Sequence, residues 1–344
     1  MVPGVQRQDP HTRRGAHRTR TRTTASPPRW SPAPGADTIT LVGGGDATLD
    51  RARLAELADL TASALRERRA DPKKGARAAT VRLAYDASLY RGPVLHPIGP
   101  NDNIAPVTAL MVGQGRLDEG TRGPATRSAD PAAEAARVFR EQLSERGILT
   151  SPPAPGRAAA EAVPLAQVLS APLSSVVERM LTDSDNDIAE SLARQTAVAT
   201  GDQPSFAGAE RAVTKQLRRL QLPLAGTRFA DGSGLNRRDK VSAALLTTVL
   251  ARAADAAHPE LRPILTGLPV AGFSGTLEDR YSDTSAGTGL VRAKTGTLTG
   301  INSLAGTVVA PGGRLLGFAF LAADTPSPYE AQPALDRLAA ALVS

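Results

Sequence analysis

The sequence predicts an α/β protein in which an antiparallel sheet is flanked by helices. Near the carboxyl terminus, three successive strands are predicted from GLVRAKTGTLTG, NSLAGTVVA and GRLLGFAFLAA. Pro311-Gly312-Gly313 is a hairpin turn signal between the last two strands. Residues 328–344 then form an amphipathic segment, and a helix there can cover one face of the sheet.

The amino-terminal half predicts strands that alternate with helices. Thr38-Ile39-Thr40-Leu41 and ATVRLAYDASLY alternate as half-buried strands do. A helix between them is predicted from leucines at helical spacing, namely Leu49, Leu54, Leu57, Leu60 and Leu65. Asp130 and Pro131 are typical of a helix start, and Gly147 of a helix end, so a second helix is predicted over 131–146.

The 344 residues suffice for two or three domains, and 41% hydrophobic with 22% charged residues is typical of a globular protein. Residues 1–35 are rich in Arg, Thr, Pro and Ser without any period, and we expect them to be disordered or spurious. TSPPAPGRAAAEAVP, at 150–164, is a linker by its proline content. It marks the domain boundary of the remaining chain.

The net charge of +7 resides mainly at the amino terminus, where residues 1–30 hold seven arginines and one aspartate. A basic arm that binds nucleic acid is one interpretation. The arm lacks interleaved aromatic residues, so a solvated tail is favoured and no nucleic-acid partner is predicted. No apolar run reaches the roughly 18 residues of a membrane span, and the first residues lack the apolar stretch of a signal peptide. Neither a transmembrane segment nor an export signal is therefore expected.

Metal and thiol chemistry are not predicted. The sequence has no cysteine, and its four histidines, His11, His17, His96 and His258, stand in no ligand-pair spacing. No histidine has the context of a catalytic triad. Gly43-Gly44-Gly45 lacks the residues of a phosphate loop, so it is predicted as a turn and no cofactor is expected.

Two tripeptides carry the functional prediction. Ser184-Asp185-Asn186 interrupts PLSSVVERMLTDSDNDIAESLARQTAVAT, which otherwise predicts helix, break and helix. Alone, this tripeptide is typical of a helix cap. Lys294-Thr295-Gly296 follows on a predicted strand, and alone it is an ordinary lysine before a strand kink. S-D-N at a helix break and K-T-G on a strand are two of the three motifs of penicillin-recognising serine enzymes, so together they favour an active site.

At these motifs the sequence resembles the S13 D-alanyl-D-alanine carboxypeptidases and endopeptidases, which are low-molecular-mass penicillin-binding proteins. LVGGGDATL, APVTALMVGQGRLD, ADGSGLNR, LPVAGFSGTLEDR and VRAKTGTLTGINSLAGTV extend the likeness over roughly 36–344. The resemblance implies a penicillin-binding-protein or β-lactamase-like transpeptidase domain interrupted by a smaller α/β insertion. Residues 36–165 would be the insertion, and 166–344 the carboxyl-terminal part of the transpeptidase-like domain.

The resemblance also implies acyl transfer from peptidoglycan peptides ending in D-Ala-D-Ala, with β-lactams as inhibitors and no cofactor. Catalytic roles would fall to Ser184, Asn186 and Lys294, and substrate binding to Thr295, Gly296 and Thr297. The serine hydroxyl would relay a proton, the amide would pair with the substrate, and the ammonium would attract the terminal carboxylate. The backbone N–H of Thr297 would be an oxyanion donor. The family works outside the cytoplasmic membrane, whereas no export signal is expected here.

The third family motif, S-x-x-K, does not occur in this sequence. Ala70, Asp71, Ala212, Arg237 and Val291 stand three residues before the five lysines. One hypothesis is a truncated or frame-shifted copy, and the other is a non-catalytic peptidoglycan- or penicillin-binding module. A class A β-lactamase shares the last two motifs, but the inserted region favours the carboxypeptidases.

Nearby acidic residues are interpreted without a catalytic role. Asp185 and Asp187 are expected to be capping charges at a helix start. Asp231-Gly232-Ser233-Gly234 resembles a family segment near the active site, although turn formation explains it equally well.

Overall fold

The structure, a computed structural model, describes residues 22–24, 29–33, 36–70, 80–281 and 284–343. The strands in these residues are β1 (Arg22–Thr24), β2 (Arg29–Ala33), β3 (Ala36–Val42), β4 (Arg82–Asp86), β5 (Ala154–Pro155), β6 (Val163–Pro164), β7 (Leu169–Pro172), β8 (Val291–Leu298), β9 (Ile301–Val309) and β10 (Leu315–Ala323). The α-helices are α1 (Arg51–Ala70), α2 (Pro131–Glu145), α3 (Leu173–Asp183), α4 (Asn186–Thr200), α5 (Phe206–Arg219), α6 (Ala243–Ala254), α7 (Pro263–Thr266) and α8 (Pro328–Ala340).

The carboxyl-terminal sheet is antiparallel, with strand order β10-β9-β8. Helix α8 packs on the face that carries Leu304 and Phe318, and these side chains share one core cluster with Leu335 of the helix. Helix α6 packs on the opposite face, where Leu250 lies beside Gly317. The predicted antiparallel sheet with flanking helices is therefore confirmed, as are its three strands and the final helix.

A second sheet, in the order β5-β4-β3-β2-β6, forms the smaller lobe. Strands β3 and β4 are parallel because α1 carries the chain across the sheet between them. Ile39, Leu54, Leu83 and Phe139 are buried in the core between this sheet and helices α1 and α2. The predicted α/β character of this region is confirmed, although its assignment as an insertion over 36–165 stays a prediction.

Two segments differ from their predictions. Strands β1 and β2 lie within 1–35, where no structure was expected, and the other residues of that stretch lie outside the described residues. Strands β5 and β6 lie within the predicted linker 150–164. The reason is tertiary, because β2 pairs with β3 and β6, and β5 pairs with β4. Such short strands carry no period of their own and depend on the neighbouring strand for their hydrogen bonds.

Helix α1 has 20 residues and buries one leucine stripe. Leu54, Leu57 and Leu65 are almost completely buried, whereas Leu60 is 44% exposed and lies outside the stripe. The other face of α1 is charged. Among the helices that the structure describes, none is both long enough and apolar enough to cross a bilayer.

A small apolar cluster connects the lobe to the helices that carry the first motif. Ala47 and Met111 of the lobe pack against Val176 of α3 and Ile188 of α4. The cluster holds the break between α3 and α4 against the lobe, and so fixes where Ser184-Asp185-Asn186 lies.

We expect Leu304→Ala to lower the free energy of unfolding by about 2–5 kcal/mol, because it leaves a cavity in the fully buried core under α8. Leu315→Ala is the matched control, since that leucine lies on β10 but is 51% exposed. Urea denaturation at an unchanged m-value measures both. Equal effects of the two substitutions would contradict this description of the core.

Candidate active site

Ser184 lies in the break between two helices. It ends α3 with φ 54° and ψ 48°, a left-handed conformation that a non-glycine residue seldom adopts. Asp185 then starts α4, and its carboxylate accepts a 3.0 Å hydrogen bond from the backbone N–H of Ile188. The tripeptide is therefore a helix cap, as one interpretation predicted, and the cap turns Ser184 and Asn186 toward a cavity.

Asp187 differs from its prediction as a simple capping charge. It is 4% exposed, accepts a 2.9 Å hydrogen bond from the N–H of Ala105, and pairs with Arg127 at 2.9 Å. Burial raises the pKa of Asp187 to about 6 despite the guanidinium. Asp185 caps the helix as predicted and also accepts from Gln114 Nε2. Both carboxylates thus tie the break to the smaller lobe.

The second motif lies on β8, at one edge of the carboxyl-terminal sheet. A preceding segment covers the beginning of this edge, because the N–H of Ala271 donates to Val291 O and the N–H of Ala293 donates to Pro269 O. In an antiparallel strand every second residue directs its N–H and C=O to the same side. The N–H groups of Thr295 and Thr297 therefore point away from β9, like that of Ala293.

The two motifs meet at the side chains of Lys294 and Ser184. The Lys294 ammonium donates to Ser184 Oγ at 2.6 Å and to the backbone oxygen of Thr295 at 2.7 Å. Lys294 and Ser184 are 110 residues apart in the sequence. Burial of the amine lowers the pKa of Lys294 to about 8. The lysine is therefore held in place by two oxygen acceptors and is poorly hydrated.

The other predicted residues surround this hydrogen bond. Asn186 donates through Nδ2 to Asn103 O at 3.1 Å, which ties it to the smaller lobe. The hydroxyl of Thr295 donates to that of Thr276 at 2.9 Å. Thr297 Oγ1 accepts a 3.2 Å hydrogen bond from Gln332 of α8.

Gly296 packs closely within the sheet, and its expected role of leaving room for a substrate strand stays a prediction. A Cβ at this position would lie 2.3 Å from Ser303 Oγ on the neighbouring strand β9. The missing side chain thus makes room for a residue of the sheet itself, and the open edge of β8 comes from the sheet order.

All six predicted residues line one cavity of about 810 Å³. Its walls come from the α3–α4 break, strand β8, the neighbouring parts of β9 and β10, the segment 233–241 and the smaller lobe. Arg116, Arg122 and Arg127 of the smaller lobe close the rim together with Arg237 and Lys240. Four carboxylates also line the cavity, namely Asp183, Asp185, Asp187 and Asp239, and Arg127 is paired with Asp187. The cationic side chains still outnumber the carboxylates, which suits an anionic ligand.

The family model described as the D-Ala-D-Ala carboxypeptidase 3 (S13) family matches residues 118–342. The chain belongs to this family. Carboxypeptidase DacB of Mycolicibacterium smegmatis is 38% identical over 327 residues, which cover 89% of this chain and 67% of that protein. A carboxypeptidase of Mycobacterium tuberculosis is 36% identical over 316 residues, which cover 86% of this chain and 66% of the mycobacterial protein. The S13 chain therefore spans about two thirds of the length of these relatives.

The fold is also similar to solved structures. Penicillin-binding protein 4 from Haemophilus influenzae superposes with a TM-score of 0.71 and 21% identity, covering 92% of the S13 chain and 84% of the other. That protein has also been solved in complex with a β-lactam. The likeness confirms the penicillin-binding-protein fold that the motifs predicted, and serine-type carboxypeptidase is the activity by which the family is known.

A buried cluster behind the cavity wall was missed by the sequence analysis. His96 donates through Nε2 to Asp231 at 2.9 Å, and Glu190 accepts from the N–H groups of Gly232 and Ser233 at 3.0 and 2.9 Å. These side chains place ligand-type atoms within 4.8 Å of one another. The N–H of Ile98 donates to His96 Nδ1 at 3.3 Å, so the Nε2 atom carries the hydrogen and acts as a donor rather than as a metal ligand. His96 is 135 residues from Asp231, and no local pattern reveals their contact.

The cluster shapes the wall segment 233–241. Asp231 accepts from the N–H groups of Gly234 and Asn236 at 2.7 Å each, and hydrogen bonds hold its pKa at about 2 against the cost of burial. Burial, together with the hydrogen bond and charge of Asp231, raises the pKa of Asp239 to about 7. Asp231 is therefore ionised at neutral pH, whereas Asp239 changes its protonation state near neutral pH.

We expect Asp239→Asn to raise the free energy of unfolding of the S13 chain, relative to the wild type, by more at pH 8 than at pH 5. Because the folded state raises the pKa of Asp239, the wild type loses stability as the pH rises from about 4 to about 7, and the variant lacks this loss. The carboxyl is half-buried, so after allowance for solvent screening the difference is about 1 kcal/mol. Chemical denaturation of both proteins at the two pH values measures it, and parallel pH profiles would show that Asp239 does not titrate in this range.

Proposed function

We propose that this chain acts on peptidoglycan peptides ending in D-Ala-D-Ala as a serine-type carboxypeptidase or endopeptidase, and that β-lactams compete for the same cavity. The observation that carries the proposal is the 2.6 Å hydrogen bond between Lys294 Nζ and Ser184 Oγ, which joins two family motifs at one cavity. Membership of the S13 family supports the reaction class. The substrate belongs to the cell wall, so we propose that the chain works outside the cytoplasmic membrane.

The terminal carboxylate of the substrate is the group that Lys294 and its neighbours are suited to bind. The ammonium supplies the charge, and the hydroxyls of Thr295 and Thr297 supply neutral donors beside it. The Thr295 hydroxyl now donates to Thr276, and the Thr297 hydroxyl accepts from Gln332. Binding of the substrate carboxylate therefore requires these hydroxyls to rotate.

The scissile peptide group would then lie along the open edge of β8. The N–H of Thr297 points to this side and is the oxyanion donor in the proposal. The Asn186 amide pairs with the peptide backbone of the substrate, and the Ser184 hydroxyl relays a proton to the departing D-Ala nitrogen.

A second candidate function is a binding module without catalysis. The observation that favours it is the absence of S-x-x-K from the sequence, because the family nucleophile belongs to that motif. Such a module would bind D-Ala-D-Ala peptides reversibly and release no D-alanine. Measurement of D-alanine release beside peptide binding separates the two candidates.

We expect an acylated D-Ala-D-Ala peptide to bind the purified chain about 10–100-fold more tightly than the same peptide with a carboxyl-terminal amide, since a hydrogen bond to a charged group contributes about 1.5–3 kcal/mol. Lys294→Met should remove this preference. Lys215→Met, at an exposed position of α5, is the matched control. Isothermal titration calorimetry measures both peptides against the wild type and the two variants.

The preference should also weaken between pH 7 and pH 9, because the pKa of Lys294 is lowered to about 8 and the amine loses its charge over that range. Equal affinity for acid and amide at pH 7 would refute carboxylate recognition by this cavity.

A further inference from the structure

Asp187 lies in the first turn of α4, directly after the Ser184-Asp185-Asn186 break, and the smaller lobe holds both of its carboxylate oxygens. Oδ1 accepts a 2.9 Å hydrogen bond from the N–H of Ala105, and Oδ2 lies 2.9 Å from a guanidinium nitrogen of Arg127. The two side chains are only 2% and 5% exposed. This ion pair is therefore a buried contact between the lobe and the helix that begins within the first motif.

Arg127 has two further acceptors in the lobe. Its Nη1 donates to the backbone oxygen of Gln114 at 2.8 Å, and its Nε donates to that of Ala125 at 3.1 Å. These carbonyl oxygens keep the guanidinium in place even when the carboxylate is neutral. The lobe thus presents a fixed positive charge, and the ionised form of Asp187 attaches the break to it.

The residues before Asp187 contact the same part of the lobe. Asn186 donates to the backbone oxygen of Asn103 at 3.1 Å, and Asp185 accepts from the side chain of Gln114. Neighbouring residues in a helical turn have a fixed relative geometry, so a displacement of Asp187 moves the Asn186 amide with it. The ion pair therefore helps to fix the motif side chains that border the cavity.

Loss of the charge on Asp187 weakens this attachment. A protonated carboxyl presents a hydrogen from one oxygen, which then no longer suits the guanidinium donor. Burial raises the pKa of Asp187 to about 6, so the group is ionised at pH 7.5 and mostly protonated at pH 5.

The charged groups that face Asp187 are Arg127 and Arg116 from the lobe and Asp185 from the break. Arg179 of α3 lies 3.8 Å from Asp185, and Glu190, one turn along α4, accepts instead from the wall segment 233–241. The other ionisable groups that border the cavity are Asp183, Asp239, Arg122, Arg237, Lys240 and Lys294.

We propose that Asp187 and Arg127 are positioning residues for substrate binding, and that acidification loosens the break by protonating Asp187. The pair holds Ser184 and Asn186 where the peptide requires them, so the chain binds its peptide weakly once Asp187 is neutral. The inference rests on the proposed function for the identity of the peptide. Because neither residue belongs to a motif, it assigns the smaller lobe a part in recognition.

The proton on Asp187 and the peptide are then coupled ligands of the same chain. A peptide that binds better to the ionised form must lower the pKa of Asp187, because such coupling is reciprocal. Peptide binding near pH 6 should therefore release protons. A contact that served only the stability of the fold would not release protons on peptide binding.

The first test measures the affinity of the purified full chain for an acylated D-Ala-D-Ala peptide by isothermal titration calorimetry. We expect Asp187→Asn to weaken binding at pH 7.5 by about 5–150-fold, the usual range of coupling between two ligands. The wild type should weaken by about 4–10-fold from pH 7.5 to pH 5, since the ionised fraction of Asp187 limits the loss. The peptide carboxylate, with a pKa of about 3.5, stays ionised over this range.

Variants of the pair and a control variant accompany this measurement. Arg127→Met should weaken binding at pH 7.5 as Asp187→Asn does, and the double variant should lose no more than either single variant. Asp59→Asn is the matched control, because Asp59 also pairs with an arginine, 2.6 Å from Arg146, but is 65% exposed. It should bind like the wild type. Asp239 and Lys294 titrate in all of these proteins, so the comparison isolates Asp187.

Proton release is measured by the same calorimetry at pH 6 in buffers of different ionisation enthalpy. We expect the wild type to release a fraction of a proton for each peptide bound, and Asp187→Asn to release less. Equal proton release by the two proteins would overturn the assignment to Asp187.

A measurement on the wild type alone guards against a variant that fails to fold. The backbone N–H signal of Ser184 and the side-chain amide signals of Asn186 are followed by NMR without peptide. We expect them to shift with a midpoint near pH 6, the pKa of Asp187. Signals that stay constant between pH 5 and pH 7.5 would show that the ion pair does not position the break.

The remaining outcomes separate this inference from the proposed function. Equal peptide affinity of the wild type and Asp187→Asn at both pH values overturns the inference and leaves the proposed function intact. A wild type that binds no peptide, but whose break titrates near pH 6, rejects the proposed function and supports positioning by the ion pair. Absence of both binding and titration rejects the inference and the proposed function together.

Discussion

The hydrogen bond between the Lys294 ammonium and the Ser184 hydroxyl is the contact on which the site depends. It joins β8 to the α3–α4 break, two elements whose residues are 110 positions apart. The sheet fixes the lysine, because β8 is paired with β9 along its whole length. The lobe fixes the serine, because Asp187 and Arg127 hold the break in a buried ion pair of 2.9 Å. The cavity therefore has its shape only when sheet, break and lobe are packed together.

Buried charge is concentrated around this cavity. Glu190 and Asp231 are nearly inaccessible, and each accepts hydrogen bonds from backbone N–H groups, with His96 as a further partner of Asp231. Isolated buried charges are costly unless they are paired or hydrogen-bonded. The poor hydration that lowers the pKa of Lys294 belongs to the same environment. Burial thus requires the hydrogen bonds of the wall carboxylates, and burial also lowers the pKa of the amine.

The sequence predicted the parts of the fold that have a local pattern. Strands β8 to β10, helix α8 and the Asp130 cap of α2 follow from period and capping chemistry, and the structure confirms them. The short strands β2, β5 and β6 have no such pattern, since they exist through pairing with distant neighbours. Six site residues could be named because they lie in two compact tripeptides and one adjoining threonine. His96, Glu190 and Arg127 could not, because they meet their partners only through tertiary packing.

The central claim is that the two motifs share one carboxylate-binding cavity. A crystal structure of the chain with an acylated D-Ala-D-Ala peptide tests this claim most directly. We expect the terminal carboxylate to lie between the Lys294 ammonium and the hydroxyls of Thr295 and Thr297, with Ser184 Oγ facing the penultimate carbonyl. A peptide bound elsewhere, or a lysine separated from Ser184 by more than a hydrogen bond in the complex, would contradict the account.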